Sequence, residues 1–124
     1  MKTVLVIEDN LEIRENTAEI LELAGFRVIT AQNGKDGLSV AHSENPDIVL
    51  CDIMMPGIDG YQVIKELRDN PLTAGIPFIY VTASAEKADM KIAMEMGADG
   101  YVRKPFDITD LMDAIENVTG KSGT

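Results

Sequence analysis

Short runs of apolar residues rich in Val and Ile alternate along this chain with longer stretches in which apolar residues return every three or four positions. The runs are Thr3 to Ile7, Phe26 to Ala31, Asp47 to Cys51, Pro77 to Thr82 and Asp99 to Val102. They are continuously apolar, as strands covered on both faces of a parallel sheet are, and do not alternate with polar residues. After the first run, Ile13, Thr17, Ile20, Leu21 and Ala24 form one stripe, while Glu12, Arg14, Glu15, Glu19 and Glu22 fall largely on the other, which predicts an amphipathic helix. Gly25 follows at the position where a helix commonly ends in a left-handed residue. Near the other end, Asp107 caps a stripe of Ile108, Leu111, Ile115 and Val118, with Asp110 in the first turn. Pro46, Pro71 and Pro77 fall between segments, and Gly97 closes the fourth helix. Five β/α units connected by right-handed crossovers give a three-layer sandwich around a five-stranded parallel sheet. With no linker or composition break, residues 1–119 read as one domain and 120–124 as a short flexible tail.

Composition narrows the function. The chain has 124 residues, 45% of them hydrophobic and 26% charged, which suits one ordinary globular domain. Its net charge of -10 would repel nucleic-acid phosphates and anionic lipid, so a direct role on either is not expected. A single cysteine, Cys51, excludes an internal disulfide and is expected in the core. The start, MKTVLVIEDN, has too few apolar residues before its acids for a signal peptide, and no run of 18 apolar residues exists anywhere. A cytoplasmic protein is expected.

Ligands of open α/β sheets sit at the carboxyl ends of the strands. Those positions hold Glu8, Asp9 and Asn10 after the first run, Asp52 after the third, Thr82, Ala83 and Ser84 at the fourth, and Arg103, Lys104 and Pro105 after the fifth. Carboxylates about 5 Å apart repel by roughly 3 kcal/mol per pair at an effective dielectric near 20, so three converging acids call for a cation. Hard oxygen ligands suit Mg²⁺, and acids with a metal and a lysine suit phosphoryl transfer.

The ordered set of Glu8-Asp9, Asp52 in CDIMMPGIDG, Thr82 in VTAS and Lys104-Pro105 in YVRKPF resembles the receiver domain of two-component response regulators over the whole chain. The resemblance implies a flavodoxin-like, CheY-like fold with strand order 2-1-3-4-5. It implies Asp52 as phosphoacceptor, with Glu8, Asp9, Asp52 and the backbone carbonyl of Met54 holding Mg²⁺, or Mn²⁺ in its place. It further implies Thr82 as the hydroxyl that closes on the phosphoryl group, Lys104 as its ammonium partner, Tyr101 as the aromatic switch and a cis peptide between Lys104 and Pro105. The donor would be a sensor histidine kinase or phosphotransfer protein, and the target a protein docking on the fourth helix, fifth strand and fifth helix. The chain would be a monomer or a weak phosphorylation-dependent dimer, a signalling switch that catalyses only its own phosphorylation and dephosphorylation. Glu8 stands where the family more commonly has aspartate, and its longer arm is expected to reach the metal through water. Met54 and Ser84 occupy positions where the family varies the lifetime of the phosphoryl group.

Each residue also has a plainer reading. Asp9 and Asp52 could cap helices, Thr82 could be a strand residue, Lys104 a solvated loop residue and Tyr101 a half-buried core aromatic. His42, the only histidine, falls on a polar stretch of the second helix and is expected to be solvated. Met90, Met94 and Met96 read as packing residues of the fourth helix. Three rival functions share parts of the pattern. A flavin carrier of this topology would need a phosphate loop where Glu8-Asp9-Asn10 stands. An aspartyl-phosphate phosphatase would need a second acid where Met54 stands. A phosphorylation-independent interaction module stays open as a third reading, although it gives the acid cluster no role.

Overall fold

A computed structural model describes residues 1–83 and 87–119, without the side chains of 87–90. Ser84, the side chain of Met90 and the tail 120–124 therefore lie outside the described residues. The elements run β1 (Thr3–Ile7), α1 (Leu11–Leu23), β2 (Arg27–Ala31), α2 (Gly34–Glu44), β3 (Ile48–Asp52), α3 (Gly60–Asp69), β4 (Phe78–Thr82), α4 (Lys87–Glu95), β5 (Gly100–Arg103) and α5 (Ile108–Thr119). The five strands form one parallel sheet in the order β2-β1-β3-β4-β5. The order reverses between β1 and β3, which opens a crevice at their carboxyl ends.

The continuous apolar runs have a simple origin. Along β1, Leu5 and Ile7 pack toward α2 and α3, whereas Val4 and Val6 pack toward α1 and α5. Along β3, Val49 and Cys51 take the first face and Ile48 and Leu50 the second. Both faces are thus dry, and all five residues of β3 and of β4 are buried. Val63, Ile64 and Leu67 of α3 close one layer, and Leu21 of α1 with Leu111 and Ile115 of α5 close the other.

Helix ends follow local chemistry. Asn10, Asn33 and Asp59 cap α1, α2 and α3 by accepting the backbone N–H three residues on. Asp107 accepts from the Asp110 N–H at 2.8 Å while Asp110 accepts from the Asp107 N–H at 3.3 Å, a reciprocal cap on α5. Gly25 and Gly97 take φ of +99° and +106° just beyond α1 and α4. Of the expected apolar stripe on α1, Thr17 and Leu21 are buried and Ile13 and Ile20 half-buried, but Ala24 is exposed because it forms the C-cap. Met96 falls in the turn after α4, outside the helix. His42 is exposed and Cys51 fully buried.

Four of the five strands begin one residue later than the apolar runs suggest. Phe26, Asp47, Pro77 and Asp99 lead in, and the ladders extend instead to Asp52 and Arg103. Asp52 is therefore the last residue of β3, rigidly paired opposite Val81 of β4.

Candidate functional site

Glu8, at the end of β1, is held on every side. Its N–H donates to the Ala31 carbonyl at 3.0 Å, and its own carbonyl accepts from Arg14 Nη1 at 2.8 Å. Its Oε2 accepts the Asn10 N–H at 3.2 Å, and Oε1 meets Lys104 Nζ at 2.8 Å. Asp9 is exposed beside it. Asp52 Oδ1 accepts the Met54 N–H at 3.2 Å, and Oδ2 accepts from Lys104 Nζ at 3.0 Å. One ammonium therefore bridges two carboxylates whose side chains are only 4% and 8% exposed, its own being 18% exposed.

Burial alone would lower the Lys104 pKa, but its hydrogen bonds to Glu8 and Asp52 and their negative charges outweigh that and raise it. Lys104 stays charged at neutral pH. Burial likewise pushes the Cys51 thiol up, and the charges of Asp52 and Glu8 push it further, so Cys51 is an inert neutral packing residue beneath the site.

Thr82 is buried at the end of β4, next to the Asp52–Val81 pair, and its carbonyl accepts the Lys104 N–H at 2.8 Å. The Lys104–Pro105 peptide is cis. Tyr101 lies on β5 in register with Tyr80 and is 41% exposed. Met54 is 75% exposed, and its backbone N–H meets the site through the bond to Asp52 Oδ1.

Carboxylate oxygens of Glu8, Asp9 and Asp52 lie within 4.8 Å of one another. An all-oxygen donor set, with Asp9 open to solvent so that waters can complete the shell, fits Mg²⁺.

Two contributors escaped the sequence reading. Arg14 sat among the polar residues of α1 but turns inward to bind the Glu8 carbonyl. Gly60, at the start of α3, packs directly against the backbone of Asp52 and Ile53. A glycine that begins a helix eight residues beyond the acid gives a faint signal, while nothing in the pattern of α1 singles out Arg14.

The response regulator receiver domain model matches residues 4–116. The chain belongs to this family. Phosphate regulon transcriptional regulatory protein PhoB of Pseudomonas aeruginosa is 35% identical over 122 residues, covering 98% of this chain and 53% of that protein. This receiver domain spans about half the length of the curated relatives it matches. Among solved structures, Vibrio cholerae chemotaxis protein CheY4 superimposes with a TM-score of 0.90 at 27% identity, covering 95% of this chain and 98% of that one. The receiver domain of sensor histidine kinase PA1611 from Pseudomonas aeruginosa, solved with magnesium coordinated in its active-site cleft, gives 0.88 at 27% identity, covering 97% of this chain and 98% of that one. Receiver domains are signalling switches of two-component systems, and no helix among the described residues is long and apolar enough to cross a membrane.

Proposed function

We propose that the protein accepts a phosphoryl group on Asp52 from a phosphohistidine of a sensor kinase or phosphotransfer protein. The observation that carries the reading is Lys104 Nζ held 3.0 Å from a buried Asp52 carboxylate at the topological switch point of the sheet. An Asp52 oxygen attacks phosphorus, the P–N bond breaks, and the imidazole nitrogen leaves with the bonding pair, forming an acyl phosphate. Glu8, Asp9, Asp52 and the Met54 carbonyl would hold Mg²⁺, which supplies neutralisation of charge on the transferring group. Lys104 adds a fixed positive charge that bridges Glu8 and Asp52.

The added group brings about -1.5 to -2 charges at neutral pH. Lys104 and the hydroxyl of Thr82 bind it, drawing in the ends of β4 and β5, and Tyr101 turns inward. The result is a shift between two populated states, with the phosphoryl group bound better by one of them. Readout by a protein partner on the α4-β5-α5 face is supported by an open groove of about 680 Å³ there, with Tyr101, Met94 and Ala114 in its lining. A direct nucleic-acid or membrane role for this domain does not fit its charge. We place the switch in the cytoplasm, as a monomer or a weak dimer that forms on phosphorylation, with residues 1–119 as the working unit.

The test is to locate the group. Borohydride reduces an acyl phosphate to an alcohol, so peptide mapping after phosphorylation and reduction should find homoserine at position 52. A stable phosphoester on Thr82 or any other hydroxyl would refute the assignment.

A further inference from the structure

Two cations have a use for the same carboxylates. Lys104 already bridges Glu8 and Asp52 at 2.8 and 3.0 Å, and any divalent ion in the acid cluster must sit beside that ammonium and be repelled by it. Glu8 decides how firmly the lysine is held there. Its N–H, its carbonyl and Oε2 are each bound, by Ala31, Arg14 and Asn10, so the side chain is fixed with Oε1 presented to Lys104. An aspartate at that position would end one carbon shorter and keep the charge while giving up reach.

We infer that Glu8 is an affinity-setting residue for the metal, acting by parking Lys104 between itself and Asp52, so that the site requires more Mg²⁺ than it would with aspartate at position 8. The inference rests on the reading of this cluster as a Mg²⁺ site and adds the reason its affinity takes the value it does. Because Glu8→Asp preserves the net charge, a change in affinity reports where the lysine sits and not a lost acid.

The experiment is calorimetric titration of the unphosphorylated protein with MgCl₂ at fixed ionic strength, for the wild type, Glu8→Asp, Lys104→Gln and the double variant. Lys104→Gln should tighten binding about tenfold or more, because it removes a like charge that sits on the ion's own ligands. Glu8→Asp should tighten it by about threefold or more, and by less than about twofold when Lys104 is already Gln, because the two act through one contact. Should Lys104→Gln not fold, the wild type and Glu8→Asp alone still decide. The inference is overturned if Glu8→Asp weakens binding, leaves it unchanged, or adds its whole effect to that of Lys104→Gln. If neither the wild type nor Lys104→Gln binds Mg²⁺, the reading of the cluster as a metal site fails, and this inference with it.

Discussion

Gly60 lies so close beneath Asp52 that a Cβ at that position would stand 2.7 Å from the Asp52 carbonyl oxygen and 2.8 Å from the Ile53 Cα. Both neighbours are backbone and cannot rotate away. Gly60→Ala should therefore push the start of α3 off β3, destabilising the fold by about 1–3 kcal/mol. Urea denaturation measures that cost, and phosphoryl uptake on Asp52 should slow as well. Unchanged stability would mean that this contact relaxes freely.

Arg68 fastens the end of the molecule opposite the site. Its guanidinium donates to the carbonyls of Gly97, Ala74 and Ile76 and to Asp99 Oδ2, at 2.7–3.3 Å. Arg68→Ala takes this donor from the part-buried carbonyls of Gly97, Ala74 and Ile76, while Asp99 Oδ2 keeps the Phe78 N–H at 2.8 Å, and should cost about 2–3 kcal/mol in urea unfolding. The rate of phosphoryl uptake should stay near wild type, since the Arg68 bonds all lie at the end of the sheet away from Asp52.

The α5 cap offers a smaller and separable effect. Asp107→Ala removes the 2.8 Å bond to the Asp110 N–H and should cost about 1 kcal/mol. Asp107→Asn, which keeps an acceptor, should recover most of that loss in a thermal melt.

Lys104 gives a pH dependence whose sign is fixed. Its folded pKa lies above the ordinary 10.5. Its contribution to stability is thus fully present below the unfolded value and is lost as pH rises through the folded one. The melting-temperature difference between wild type and Lys104→Gln should stay constant through the neutral range and shrink only in strong alkali. A difference that already shrinks between pH 6 and 8 would contradict the ion pair as described.

Much of this was legible in the chain. The β/α alternation, the last-helix cap at Asp107 and the glycine ends at Gly25 and Gly97 all follow from local rules, because apolar runs, capping side chains and positive φ act within a few residues. The convergence of Glu8, Asp9, Asp52 and Lys104 was readable because strand ends of a parallel sheet meet at one edge. The grip of Lys104 on Glu8 was not, since it depends on the reach of two side chains 96 positions apart. The Arg68 clamp joins α3 to the turn before β5 and leaves no periodic trace. The apolar runs begin one residue ahead of their strands at Asp47, Pro77 and Asp99, because these residues hydrogen-bond to a neighbouring strand yet lie outside the ladder.

The most direct test of the switch is intact mass after incubation with acetyl phosphate and Mg²⁺, beside Asp52→Asn and a chelated control. We expect one phosphoryl adduct on the wild type that disappears on removing either Asp52 or the metal. No adduct, or the same adduct on Asp52→Asn, would contradict Asp52 as the phosphoacceptor.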